Sequence, residues 1–275
     1  MPDVTINGAE GRLEGKFLPA GTERAPVALL LHPHPQHGGT MHNKVVYTLN
    51  QAFARAGFST LRFNFRGVGR SQGSYGRGEG ELQDAASALD WVQQNLPNSR
   101  GCWIAGFSFG AWIGMQLLMR RPEIDRFIAV APPANIFDFS FLAPCPSSGL
   151  IVQGDKDEIV PEESVAKLAE KLSKQKDIVV SFEVVKGANH FFADRLEKLD
   201  ALVADYAAAA VPAMRLAAPP PPIVQPTPAP VPERKPPTIS LPPDAPSRAD
   251  TKKAAAAKAK PAPKAKKPAA QKAKR

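Results

Sequence analysis

Short apolar runs alternate with longer amphipathic stretches through most of this chain, and that alternation narrows its fold more than any other feature. The runs fall at 27–31 (VALLL), 58–65 (FSTLRFNF), 102–107 (CWIAGF), 126–131 (RFIAVA), 150–153 (LIVQ) and 178–185 (IVVSFEVV). Each has the length and composition of a buried strand. Helical patterns fill the intervals at 43–56, 80–96, 108–120 and 161–175, with a last one near 190–209. Asn43 is placed to cap the first of these, and Pro161 to occupy the first position of the fourth. Strands alternating with helices at this spacing predict an α/β fold, a mostly parallel sheet covered on both faces. A hairpin of 4–7 with 12–18 adds antiparallel strands at one edge. Ligands of such sheets bind beyond the carboxyl ends of the strands, so chemistry is sought in the loops that follow them.

Composition divides the chain into unlike parts. Of its 275 residues, 213–275 hold 16 of the 29 prolines and 14 Lys+Arg against 3 Asp+Glu, without one aromatic residue. The body before it has 21 basic and 23 acidic residues, so the net charge of +9 says nothing about a catalytic surface. The expected organisation is a domain at 1–212, a disordered Pro/Ala-rich linker at 213–250 and a basic Lys/Ala/Pro tail at 251–275. Residues 251–275 have the charge for nonspecific, salt-dependent contact with nucleic acid or an anionic surface. Lacking aromatics, they offer no platform for stacking single-stranded bases, and a solvated extension is the competing reading. Cys102 and Cys145 are the only cysteines, too few for a disulfide framework or a CxxC pair. With no basic-then-apolar leader and no apolar run of membrane-helix length, the expected location is the cytoplasm.

One loop carries a nucleophile signature. Gly106-Phe107-Ser108-Phe109-Gly110 reads G-x-S-x-G, ending one expected strand and opening the next helix. A serine hydroxyl attacks poorly unless held exposed beside a base, and a sharp strand-to-helix turn does that. The Phe109 amide, at the helix start, has no internal partner and is free to donate to an oxyanion. A Gly/Ser-rich turn without chemistry is the competing reading; the strand–turn–helix setting argues against it. Such a serine needs an acid and then a histidine later in the chain. The loop after LIVQ supplies carboxylates at Asp155, Asp157 and Glu158, and the loop after SFEVV supplies His190, the only histidine beyond residue 42. The residues alone leave Asp155 open beside Asp157.

The stretches LLLHPHPQHGGTMHNKVV, LRFNFRGVGRSQGSYGRGEGELQD, GFSFG, GDKDEIVP and GANHFF together resemble the α/β-hydrolase superfamily. Within it they resemble the small cytoplasmic bacterial branch related to dienelactone-hydrolase-like esterases. The resemblance implies an eight-stranded, mostly parallel α/β-hydrolase sheet without a large cap domain. It implies Asp157, as the fourth residue of the turn Gly154…Asp157…Val160, as the acid. Ser108 becomes the nucleophile, His190 the general base and then acid, and Asp157 the residue that orients the imidazole. It also implies that the turn after the first apolar run, here His32-Pro33-His34, completes the oxyanion hole through the His34 amide. Gly38 and Gly39 would let the backbone lie close to substrate, and Phe107 would shape an acyl pocket.

His32, His34, His37 and His42 crowd into eleven residues, which raises the question of a metal. No HxHxDH-type pattern accompanies them, and Pro33 and Pro35 restrict convergence of the rings, so no metal and no cofactor is expected. Arg66-Gly67-Val68-Gly69-Arg70-Ser71-Gln72-Gly73 fails the dinucleotide pattern G-x-G-x-x-G at Gln72 and is read as a structural turn or part of the site's rim. Glu81 and Asp84, early in the following helix, are read as structural. Only a short, aromatic-bearing connection, PPANIFDFSFLAPCP, separates the fourth and fifth runs. The expected activity is cleavage of small carboxylic esters through an acyl-enzyme. Amides or thioesters would use the same three residues, and a weakly active binding module attached to nucleic acid or an anionic membrane by its basic tail is the competing reading.

Overall fold

The computed structural model describes residues 1–216, side chains through Ala210, so the basic tail and all but the first four residues of the expected linker lie outside the described residues. Eight strands form one sheet in the order β1-β2-β4-β3-β5-β6-β7-β8. The strands are β1 (Asp3–Gly8), β2 (Gly11–Leu18), β3 (Val27–Leu31), β4 (Ser59–Phe63), β5 (Cys102–Phe107), β6 (Ile124–Val130), β7 (Ser148–Gly154) and β8 (Val180–Val185). The hairpin β1–β2 is antiparallel and joins β4 antiparallel; β4 to β8 are all parallel. Five helices cover the sheet: α1 (Lys44–Arg55), α2 (Glu79–Asn95), α3 (Phe109–Leu118), α4 (Glu162–Ser173) and α5 (Leu196–Leu216).

The period of two along each strand sends alternate side chains to opposite faces. Leu29, Leu31, Leu61 and Ile104 therefore face α2, α3 and α4 in one core. Ala28, Leu30, Trp103, Ala105 and Ile128 face α1 and α5 in the other. Strands buried on both faces read as unbroken apolar runs, which is why VALLL and CWIAGF are legible without neighbours. The segment 131–147, between β6 and β7, contains turns and no helix, so no cap domain is inserted there.

At three boundaries a local interaction accounts for the departure from expectation. β4 stops at Phe63, just before the Phe65 amide leaves the ladder for His32 Nε2 at 3.0 Å. Pro161 is the N-cap of α4 rather than its first residue; its ψ of 135° is extended, not helical. The last helix starts at Leu196 rather than near residue 190. Asn189 Oδ1 takes the amides of Phe191 and Ala193, a local bond that competes with helix formation. At its other end α5 runs on through Pro212 to Leu216.

Candidate active site

Ser108 sits where β5 turns into α3, with φ 54° and ψ −119°. That backbone costs a non-glycine residue on the order of 1–3 kcal/mol and persists only where its surroundings hold it. Here they do. A Cβ on Gly106 would stand 2.3 Å from Gly110 O, and one on Gly110 would stand 2.4 Å from Leu31 O. Only glycines at these two positions let α3 leave β5 so sharply while lying against the end of β3. The Ser108 amide donates to Val130 O on β6 at 2.8 Å, fixing the turn from the other side.

Three loops from the same end of the sheet meet at this serine. His190, from the loop after β8, places Nε2 3.1 Å from Ser108 Oγ and Nδ1 2.7 Å from Asp157 Oδ2. Asp157, from the loop after β7, accepts the amides of Ile159 and Val160 on Oδ1 and Gln153 Nε2 on Oδ2. Burial alone would push this carboxyl's pKa up. The bond from His190 and the amides of Val160 and Ile159 outweigh burial and hold it below the usual carboxylate range. An ionised carboxylate only accepts, so His190 Nδ1 must donate; Nε2 then lacks a hydrogen and accepts from the serine hydroxyl. Asp155 instead takes the Gly187 amide at 2.5 Å, tying the two loops together, and Glu158 is exposed. Of the three carboxylates open in the sequence, the one that meets the imidazole is Asp157.

The start of α3 and the loop after β3 lie together, with the Phe109 and His34 ring centroids 4.8 Å apart. Neither the Phe109 nor the His34 amide has an acceptor among the described residues. The chain turns back at once: the His37 and Gly39 amides both bond to His34 O, at 3.1 and 3.0 Å. Gly39 is needed because a Cβ there would fall 2.0 Å from Pro33 O; its close approach is to the protein's own turn. Gly38, at φ 77°, faces open space.

The four crowded histidines do different things. His32 is fully buried, donates Nδ1–H to Pro33 O at 2.7 Å and accepts the Phe65 amide on Nε2, which ties the ends of β3 and β4 together. Burial lowers its pKa to about 4, so it is a neutral strut. His34 reaches Tyr75 Oη, while His37 and His42 are exposed. No cluster of metal-ligating groups is found among the described residues.

The aromatic residues on either side of Ser108 are buried rather than open to solvent. Phe107 is wholly buried, its ring centroid 5.1 Å from that of His190, so it seats the imidazole instead of facing solvent. Phe109, equally buried, is ringed by His34, Phe65, Tyr75, Trp112 and Phe137. The exposed apolar side chains at this end are Ile136, Ile159 and Phe191, on the loops after β6, β7 and β8.

Two supporting groups were not singled out in the sequence. Gln153 bonds Asp157, Gly154 O and Val160 O from inside β7, and a buried glutamine ending the run LIVQ was the available signal. Tyr75 follows a turn that pattern matching read for its glycines. Arg66, 2% exposed, is gripped by Asp84 through its amide, Nε and Nη2, and by Glu10 at 2.7 Å. Ser71 Oγ donates to Asn64 O at 2.7 Å, so the RGxGxS turn is a structural knot behind the site. Glu81, also buried, takes the amides of Gly76 and Gly78.

Known proteins share this architecture. Residues 16–142 match the family described as X-Pro dipeptidyl-peptidase (S15 family). The structure resembles a protein of unknown function from Agrobacterium tumefaciens, 56% identical over 77% of this chain and 97% of that one, with a TM-score of 0.75. It also resembles an α/β serine hydrolase homologue from Coxiella burnetii, 42% identical over 74% and 96% of the two chains, with a TM-score of 0.67. A third, XC6422 from Xanthomonas campestris, is a member of the α/β serine hydrolases without a lid; it is 33% identical over 76% and 93%, with a TM-score of 0.68. The chain belongs to the α/β-hydrolase superfamily. Its class is accordingly that of a hydrolase. No helix of the described residues is long and apolar enough to cross a membrane.

Proposed function

We propose that this protein is a serine hydrolase of small carboxylic esters. The Ser108 hydroxyl attacks the acyl carbon while His190 Nε2 takes its proton, forming a tetrahedral intermediate. The negative oxygen is received by the amides of Phe109 and His34. On collapse, the proton on Nε2 passes to the departing alkoxide, leaving an acyl-serine. Water then repeats the sequence: His190 removes its proton, the hydroxyl adds to the acyl carbon, and the carboxylic acid leaves as Ser108 is reprotonated. Asp157 stays ionised and keeps the imidazole in the tautomer that both steps need.

The observation that carries this reading is the unbroken path from Ser108 Oγ to His190 to Asp157, with bonds of 3.1 and 2.7 Å. Ser108→Ala is expected to abolish p-nitrophenyl acetate turnover and fluorophosphonate labelling while the circular dichroism spectrum stays unchanged. Labelling that persists in that variant would refute the reading. The match to the S15 family supports a second reading, an amide as substrate. Dipeptidyl p-nitroanilides ending in proline, assayed beside the esters, separate the two. A cytoplasmic setting suits the two unpaired, buried thiols. Attachment of residues 251–275 to nucleic acid or an anionic surface is a separate proposal, supported by charge alone.

A further inference from the structure

The loop that carries the His34 amide is short and rich in proline and glycine, and its backbone bonds close the turn on itself. The peptide that carries the His34 N–H is held at its other end, where the buried His32 donates Nδ1–H to Pro33 O at 2.7 Å. The His34 side chain supplies a second tether. Its Nδ1 accepts the Gln36 amide at 3.2 Å, so the neutral ring carries its hydrogen on Nε2. Nε2 lies 3.0 Å from Tyr75 Oη and therefore donates to it. Burial, and then the neighbouring His37, lowers the affinity of His34 for a second proton, which favours this neutral form.

Tyr75 is itself fixed. It precedes Gly76, whose amide bonds to the buried Glu81 carboxylate at 2.8 Å, and its ring packs 5.0 Å from His34 and 6.3 Å from Phe109. The His34 ring lies 4.8 Å from that of Phe109. Three segments, after β3, after β4 and at the start of α3, thus converge on the residue that follows the nucleophile. Without the tyrosine hydroxyl, the Nε2–H of a half-buried ring would have no acceptor and would turn toward water. Residue 34 would then keep only the His32 tether at Pro33 O, and its amide would gain freedom to move.

We propose that Tyr75 is a positioning residue for the oxyanion hole: its hydroxyl accepts the His34 Nε2 hydrogen and so holds the His34 amide toward Ser108. This rests on the reading of Ser108 as nucleophile. Loss of a whole oxyanion donor costs roughly 10²–10³ in kcat, so a donor that is present but displaced should cost about tenfold. The ground-state carbonyl depends little on this donor, so KM should hardly move.

The experiment is a double-mutant cycle in the full-length protein, with Tyr75→Phe, His34→Asn and the pair. Phenylalanine keeps the ring packing and removes only the hydroxyl. Asparagine keeps an acceptor for the Gln36 amide and cannot reach Tyr75. Kinetics of p-nitrophenyl acetate and melting temperatures are measured for each. Expected are a kcat about tenfold lower in Tyr75→Phe, KM within about twofold, an unchanged melting temperature, and no further loss when Tyr75→Phe is added to His34→Asn. Wild-type kcat in Tyr75→Phe overturns the proposal, and so does a full multiplicative loss in the pair, which would place Tyr75 on a path independent of His34. Ser108-dependent labelling of the wild type, run first, tests the underlying reading separately; if it holds and Tyr75→Phe turns over normally, only the role of Tyr75 falls.

Discussion

Replacing Asp157 with asparagine tests the geometry at its tightest point. The new side chain can keep its carbonyl oxygen where Oδ1 now accepts the Ile159 and Val160 amides, at 2.9 and 2.8 Å. Its NH2 group then occupies the place of Oδ2 and meets two donors, Gln153 Nε2 at 3.1 Å and His190 Nδ1 at 2.7 Å. The imidazole escapes by moving its hydrogen to Nε2, where it faces Ser108 Oγ and can no longer take the serine proton. The expected loss is about four orders of magnitude in kcat, or about 5 kcal/mol of transition-state stabilisation. Gln153 cannot change tautomer, so a buried donor is left facing a donor at a stability cost of about 1–3 kcal/mol. Steady-state ester hydrolysis near neutral pH reads the first quantity and urea denaturation the second. Asp155→Asn and Glu158→Gln serve as comparisons and should stay near wild-type kcat, because neither carboxylate meets the imidazole. Retention of more than about a tenth of kcat in Asp157→Asn, or an equal fall in Asp155→Asn, would refute the assignment of the acid.

Two further predictions concern what holds the site. Arg66→Met leaves the Asp84 carboxyl buried without its cation, and should cost about 3–5 kcal/mol in a urea titration; a loss under about 1 kcal/mol would show that Asp84 protonates there at little cost. His32 has its pKa lowered to about 4 in the fold, against an ordinary value near 6.5 in the unfolded chain. Between these values the unfolded chain binds the extra proton, so stability is full above about pH 6.5 and falls by about 3 kcal/mol as pH drops toward 4. His32→Gln should flatten that part of the profile; identical slopes in the two proteins would remove His32 as the cause.

Much of the architecture is legible because parallel strands buried on both faces need no partner to be recognised. VALLL, CWIAGF and LIVQ read as strands on composition alone, and each lies within one. The nucleophile turn is legible for the same reason: its two glycines answer contacts within a few residues or with the adjacent strand. Helix starts are harder to read, since one side-chain bond such as that of Asn189 decides whether a turn or a helix follows. The place of Phe107 beside Ser108 in the chain suggests a pocket wall. The strand's alternation sends it into the core beneath His190 instead.

By itself the sequence determined the order of strands and helices along the chain and the residue types that stand at the strands' carboxyl ends, because both depend on local periodicity and on turns a few residues long. Which carboxylate meets His190 was decided only in three dimensions. Asp155 and Asp157 stand two residues apart, and their division of labour follows from where β7 and β8 end in register, with Gly154 opposite Val185. The tertiary structure likewise turned a suspicious cluster of histidines into one buried strut, one partner for Tyr75 and two exposed rings. Such roles depend on neighbours tens of residues away, and no spacing along the chain records them.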